Sequence, residues 1–150
     1  MDKRLAIALL LIASIVYACT PRSHANERSA HHASDQPMTH GIESRVDVTT
    51  APTVTFLLEL TNRTGKTVEL RFPTAQTHDF AVLNAKGETV WQWSHDRMFT
   101  QVLRAEPIER NQQVTYSEEW RAAKPGAYTL VATATSTSHP IEERTVFTVR

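Results

Sequence analysis

The sequence predicts an all-β domain, an antiparallel β-sandwich of about eight strands over residues 45–150, preceded by a signal peptide and a flexible linker. Three observations predict it. Twenty residues are threonine and eighteen of them fall from Arg45 onward; threonine suits a pleated, half-buried surface. Apolar and polar residues alternate in several short runs, which is how side chains divide between the two faces of a strand. Turn residues punctuate those runs about every 8–12 residues, the rhythm of a sandwich.

Composition narrows the function classes. A length of 150 residues favours one domain with appendages. The hydrophobic fraction, 41%, suffices for a packed core and excludes wholesale disorder. Sixteen Lys and Arg against sixteen Asp and Glu leave no net field, which excludes a charge-steered nucleic-acid binder. A single cysteine excludes an internal disulfide framework and a cysteine-based structural zinc site.

Residues 1–18 read as a signal peptide of the lipoprotein type. Asp2-Lys3-Arg4 is a charged start, and an almost unbroken apolar run follows from Leu5 to Tyr17. As a helix that run would rise about 20 Å, short of the ~30 Å hydrocarbon core, so it suits an export signal better than a permanent span. Val16-Tyr17-Ala18-Cys19 resembles the lipobox of bacterial lipoproteins, with Tyr17 bulkier than usual. Cleavage after Ala18 or Ala25 without lipidation, or retention as an uncleaved anchor, are the competing readings. The chain's one cysteine stands where lipidation needs it, which decides for Cys19 as lipid acceptor and for an exported, envelope-anchored protein.

Residues 19–44 then read as the lipidated cysteine and a disordered tether. From Thr20 to Ser44 there is no aromatic residue, and only Met38 and Ile42 are larger apolar side chains, too little burial to offset ordering entropy. His24, His31, His32 and His40 lie here. Their spacing does not repeat and a tether offers no second shell, so no metal is expected.

Strands follow in order. Arg45 to Thr50 is an edge strand. Val54, Phe56, Leu58 and Leu60 share one face; a turn at 62–66 follows, and Val68, Leu70 and Phe72 alternate after it, so the two runs predict a hairpin. Phe80 and Val82 begin the next strand, Asn84 to Gly87 turns, and Val90 to Trp93 returns. Met98, Phe99, Val102 and Leu103 fit a strand or a short helix equally. Val114, Tyr116 and Trp120 share a face that also carries Glu118, Tyr128 to Ala134 forms the next strand, and Val146 to Val149 the last. The Pro125-Gly126 corner before Tyr128 suggests that the tyrosine hydroxyl reaches back to upstream backbone.

Catalytic constellations are missing. Ser94-His95-Asp96 has the residue types of a hydrolytic triad, but consecutive side chains diverge where a triad must converge. Glu118 and Glu119 project to opposite faces of a strand. No phosphate loop, zinc-protease motif or dinucleotide fingerprint occurs. The expectation is a non-enzyme without a cofactor. Trp91 and Trp93, at i and i+2, share a face, one of them at least in the core, the other open to a role as interface anchor.

One ordered set of residues goes beyond composition. Phe72 to Val82 with its Asp79-Phe80 pair, then Gly87, then Trp91-Gln92-Trp93-Ser94, then Phe99, resembles the intracellular proteinase inhibitor (BsuPI) family. Tyr116 with Trp120, and Pro125-Gly126-Ala127-Tyr128-Thr129, are similar too, so the likeness covers about residues 50 to 135. The resemblance implies an immunoglobulin-like sandwich whose motif residues Asp79, Phe80, Trp91, Trp93, Trp120 and Tyr128 build the frame. It further implies inhibition of a subtilisin-like serine protease by protein–protein binding. Ser94, His95, Asp96, Arg97, Met98 and Phe99, between the tryptophan strand and the next element, are the candidate contact residues, with Thr74–Asp79 as the alternative. His78 and the glycine-free His95-Asp96-Arg97 depart from the family pattern, and the expected export directs the activity away from an intracellular target. The competing function is a non-inhibitory interaction module of the envelope built on the same sandwich.

Overall fold

The strict alternation from Val54 to Asn62 folds into the central strand of the protein. The computed structural model describes residues 38, 39 and 41–150; the expected signal peptide, Cys19 and most of the expected tether lie outside the described residues. Among the described residues there are ten strands and no helix: β1 (Met38–Thr39), β2 (Ile42–Thr49), β3 (Val54–Asn62), β4 (Val68–Phe72), β5 (His78–Leu83), β6 (Thr89–Gln92), β7 (Arg104–Ile108), β8 (Gln113–Trp120), β9 (Gly126–Ala134) and β10 (Ile141–Val149). They form three antiparallel sheets in the orders β1-β2-β3-β8, β10-β9-β5-β6 and β4-β7.

The two four-stranded sheets bury the faces that the alternation marks. Val54, Phe56, Leu58 and Leu60 of β3 meet Phe80 and Val82 of β5 and Leu130, Ala132 and Ala134 of β9 in one core. Phe56 sits at its middle: its ring centroid lies 5.9 Å from Phe80, 5.6 Å from Trp91 and 5.7 Å from Phe147, all on the opposite sheet. Such ring pairs contribute beyond the area they bury.

The predicted hairpin between the second and third runs does not form. Both edges of β3 are occupied along their length, by β2 and by β8, so β4 finds no edge there and pairs with β7 instead. Period-two patterning names the buried face, not the neighbour. Asn62 makes the redirection. Its side chain is fully buried at the end of β3 and donates to the carbonyls of Lys66 and Ile108, 2.8 Å each, while its Oδ1 accepts from the Thr64 amide at 2.8 Å and hydroxyl at 2.6 Å. One side chain thus ties the turn after β3 to the end of β7.

Other boundaries move for equally physical reasons. The domain starts before Arg45: Ile42 is fully buried as the first residue of β2, and Ser44 is buried beside it, with its hydroxyl donating to Glu143 of β10. The polar Ser44 hid that alternation. β10 starts at Ile141 because Glu143 and Thr145 occupy inward positions that reading for apolar residues skips. β7 escaped notice since only Ile108 of Arg-Ala-Glu-Pro-Ile is buried. Met98 to Leu103 is neither strand nor helix; Met98, Val102 and Leu103 are exposed, and of its apolar residues Phe99 alone packs down, on Trp93.

Two close approaches require glycine. Gly41, before β2, has φ +81°, and a Cβ there would lie 2.4 Å from Thr64 Cγ2. At Gly126 a Cβ would meet the Tyr128 ring at 3.2 Å. That ring leans back so that the Tyr128 hydroxyl donates to the Lys124 carbonyl at 3.0 Å, the corner expected from the sequence.

Candidate functional site

Asp79, the second residue of β5, organises the end of the domain where β6 gives way to the Ser94–Phe99 loop. One of its oxygens accepts from the Phe80 amide at 2.9 Å and the Ser94 amide at 3.2 Å; the other accepts from Gln92 Nε2 and from Ser94 Oγ, both at 2.6 Å. Hydrogen bonds to an ionised acceptor are the stronger kind. The Asp-Phe and Trp-Gln-Trp-Ser motifs are therefore two halves of one clamp. The Ser94 hydroxyl is committed to Asp79, and His95 Nε2 lies 3.9 Å from Asp96 Oδ1 in the open, an arrangement unlike a triad.

The two tryptophans of β6 and its following turn divide their tasks. Trp91 packs inward on Phe56 and, at 6.3 Å, on Trp120. Trp93 carries the loop. His78 stacks on it at 4.3 Å, and Tyr116 stacks on His78 at 4.9 Å. The Trp93 indole N–H is buried with no acceptor among the described residues, so the indole is held by the rings of His78 and Phe99 and by the Arg97 guanidinium.

His78 is bonded at both ring nitrogens, Nδ1 to the Thr77 hydroxyl and Nε2 to Glu118 Oε1, each at 3.1 Å. Burial pushes its pKa below the ordinary histidine value; the hydrogen bond and charge of Glu118 and the charge of Asp79 oppose this, while Arg97 adds to it. The imidazole is consequently neutral at pH 7 and serves as a flat spacer between two rings. The phenol of Tyr116, behind it, is pushed up strongly by its own burial.

The loop itself leaves this base as a supported arch. Amides of His95 and Arg97 donate to the carbonyls of Gln92 and Ser94 at 3.3 Å and 3.1 Å. The Arg97 guanidinium lies 4.4 Å over the Trp93 ring, and its Nε donates to the Trp93 carbonyl at 3.0 Å. Phe99 packs against the same ring at 5.6 Å. Met98 between them is 100% exposed, and His95 and Asp96 are exposed as well. Past the arch, the Thr100 carbonyl accepts from the Ala75 amide at 3.0 Å, so the Ser94–Phe99 loop and the alternative contact segment, Thr74–Asp79, lie side by side.

Of the residues singled out in the sequence, Phe80 and Trp120 are core and Trp91, Trp93 and Tyr128 pack partly buried against it. Ser94 and Asp79 are braces under the loop. Sequence reasoning did not find the His78–Glu118 bridge, which joins residues forty apart; its one trace was Glu118 sharing a face with Tyr116 and Trp120.

Comparison with known proteins adds a family but little by structure. No curated protein matches the chain. Among solved structures, a crystal structure of β-glucosidase from Listeria innocua in complex with glucose aligns at 8% identity and a TM-score of 0.33, covering 71% of this chain and 17% of that one; so distant a likeness supports no inference. The family model described as intracellular proteinase inhibitor, BsuPI, matches residues 42–139, from the first residue of β2 to the turn before β10. The match spans both halves of the Asp79 clamp and the arch it supports, and the chain belongs to the BsuPI intracellular proteinase inhibitor family.

Proposed function

We propose that the protein is an envelope-tethered inhibitor of a subtilisin-like serine protease, docking the Ser94–Phe99 loop into the protease cleft. The observation that carries this reading is the pairing of a fixed base with an open tip. Asp79 and the Trp93–His78–Tyr116 stack hold the loop from below, while His95, Asp96 and Met98 face solvent. A loop already ordered in its binding shape avoids the cost of ordering on association. Membership in an inhibitor family supports a protein partner. Localisation follows from Val16-Tyr17-Ala18-Cys19: a lipid on Cys19, with the following residues as tether, holds the domain at the bacterial cell envelope. More than one acyl chain is needed for stable anchorage.

The test is an inhibition panel of secreted subtilisin-like proteases. The protein slows at least one of them at micromolar concentration, and exchange of His95-Asp96 for Gly-Ser weakens the effect with an unchanged thermal midpoint. Full protease activity throughout the panel would retire the inhibitor reading in favour of a non-inhibitory envelope interaction module. Replacing Cys19 by serine, in the same cells, abolishes lipid labelling and moves the protein out of the membrane fraction; labelling that persists would sink the tether.

A further inference from the structure

We infer that Met98 is the side chain that enters the primary specificity pocket of the target protease, which makes that protease an endopeptidase selective for long apolar side chains. The inference rests on the inhibitor reading and deepens it. Single exposed apolar residues are ordinary on protein surfaces; the neighbours of Met98 set it apart. Arg97 and Phe99 both fold back onto one ring, Trp93, the guanidinium at 4.4 Å and the phenyl at 5.6 Å. Trp93 is itself backed by His78 at 4.3 Å. With i−1 and i+1 held to the same anchor, residue i is the one that projects, and Met98 is 100% exposed.

The alternatives within the loop are weaker on chemistry or geometry. Phe99 has the apolar surface, but its ring is spent on Trp93. His95 and Asp96 are exposed but polar. Leu103, 85% exposed, stands beside a groove formed with Phe72, Pro73 and Ala105 and outside the anchored arch. Residues 97–103 have no regular structure, leaving that backbone outside the domain's own sheets, as insertion into a cleft requires. A methionine offers a flexible, polarisable, unbranched side chain that fits a deep apolar pocket.

The experiment uses the full chain with Met98→Ala, Met98→Leu and Met98→Lys, measured against an apolar-selective subtilisin-like protease and against a protease that cleaves after lysine and arginine. Met98→Ala weakens inhibition of the first about 100-fold, as loss of a central anchor does, and Met98→Leu stays within about tenfold of the parent. Met98→Lys loses the first enzyme and gains the second. Thermal midpoints stay equal across the set, which separates recognition from folding. A chemical arm checks the same atom: hydrogen peroxide transfers one oxygen to the thioether, giving the sulfoxide and water, and inhibition falls in the parent but not in Met98→Leu. If the parent inhibits and Met98→Ala inhibits equally, Met98 is not the specificity residue and the inhibitor reading survives. If the parent inhibits nothing, both fall together.

Discussion

Replacing Asp79 by alanine removes, in one change, the acceptor for four donors: the amides of Phe80 and Ser94, the Ser94 hydroxyl and the Gln92 side-chain amide. A hydrogen bond to a charged group contributes about 1.5–3 kcal/mol, yet the four do not sum. Asp79, Gln92 and Ser94 are only partly buried, so the Gln92 amide and the Ser94 hydroxyl can turn to water, and the loss reduces to the two backbone amides and the turn they hold. About 2–4 kcal/mol follows, between one orphaned donor and two. For a domain of this size that lowers the thermal midpoint by roughly 8–16 °C. Asp79→Asn retains one acceptor oxygen and loses about half as much. The assay is thermal unfolding by circular dichroism, with limited proteolysis reporting new cleavage within Ser94–Phe99 at temperatures where the sandwich remains folded. A loss under about 1 kcal/mol for Asp79→Ala, the ordinary range of a surface change, would refute the clamp.

Phe56→Ala removes a fully buried ring that touches three other aromatic rings and costs about 3–5 kcal/mol in chemical denaturation; a cost below about 1 kcal/mol would mean that the two sheets do not meet there. Stability falls as pH drops below about 6.5, because His78 holds its proton less tightly folded than unfolded, so the unfolded chain gains protons first. The loss grows until pH passes below the depressed folded value and then levels off. Glu143, whose pKa burial raises against the opposing bond from Ser44, acts in the other sense. It favours the fold below the unfolded carboxyl value, near 4.3, and that contribution is lost as pH rises through its raised folded value. Denaturation midpoints from pH 5 to pH 8 check the histidine arm, and a profile unchanged in His78→Gln would discount it.

Local pattern and long-range pairing were unequally legible. The alternation of Val54, Phe56, Leu58 and Leu60 announces a strand and its buried face, since neither depends on what lies opposite. The Tyr128 corner was readable too, because donor and acceptor are four residues apart. The partner of β4 was not: Val68, Leu70 and Phe72 turn inward wherever the strand docks, and the choice of β7 over β3 depends on edges that β2 and β8 have already taken. The same division runs through the loop region. Trp91 and Trp93 stood out as a pair, but their separate duties depend on Phe56 and His78, thirty-five and fifteen residues earlier. Asp79 was visible as a motif residue, while its role as a clamp needs Ser94 brought alongside.

Whether the loop enters a protease cleft is tested most directly by capture and competition. The protein is immobilised through its C-terminus and offered a protease that it inhibits, first with the active site free and then with the catalytic serine and specificity pocket blocked by a covalent peptide-like inactivator. The expected result is capture of the free enzyme and loss of capture once the cleft is filled. Equal capture of both forms would place the contact outside the cleft and contradict the proposal that Ser94–Phe99 is the inhibitory loop.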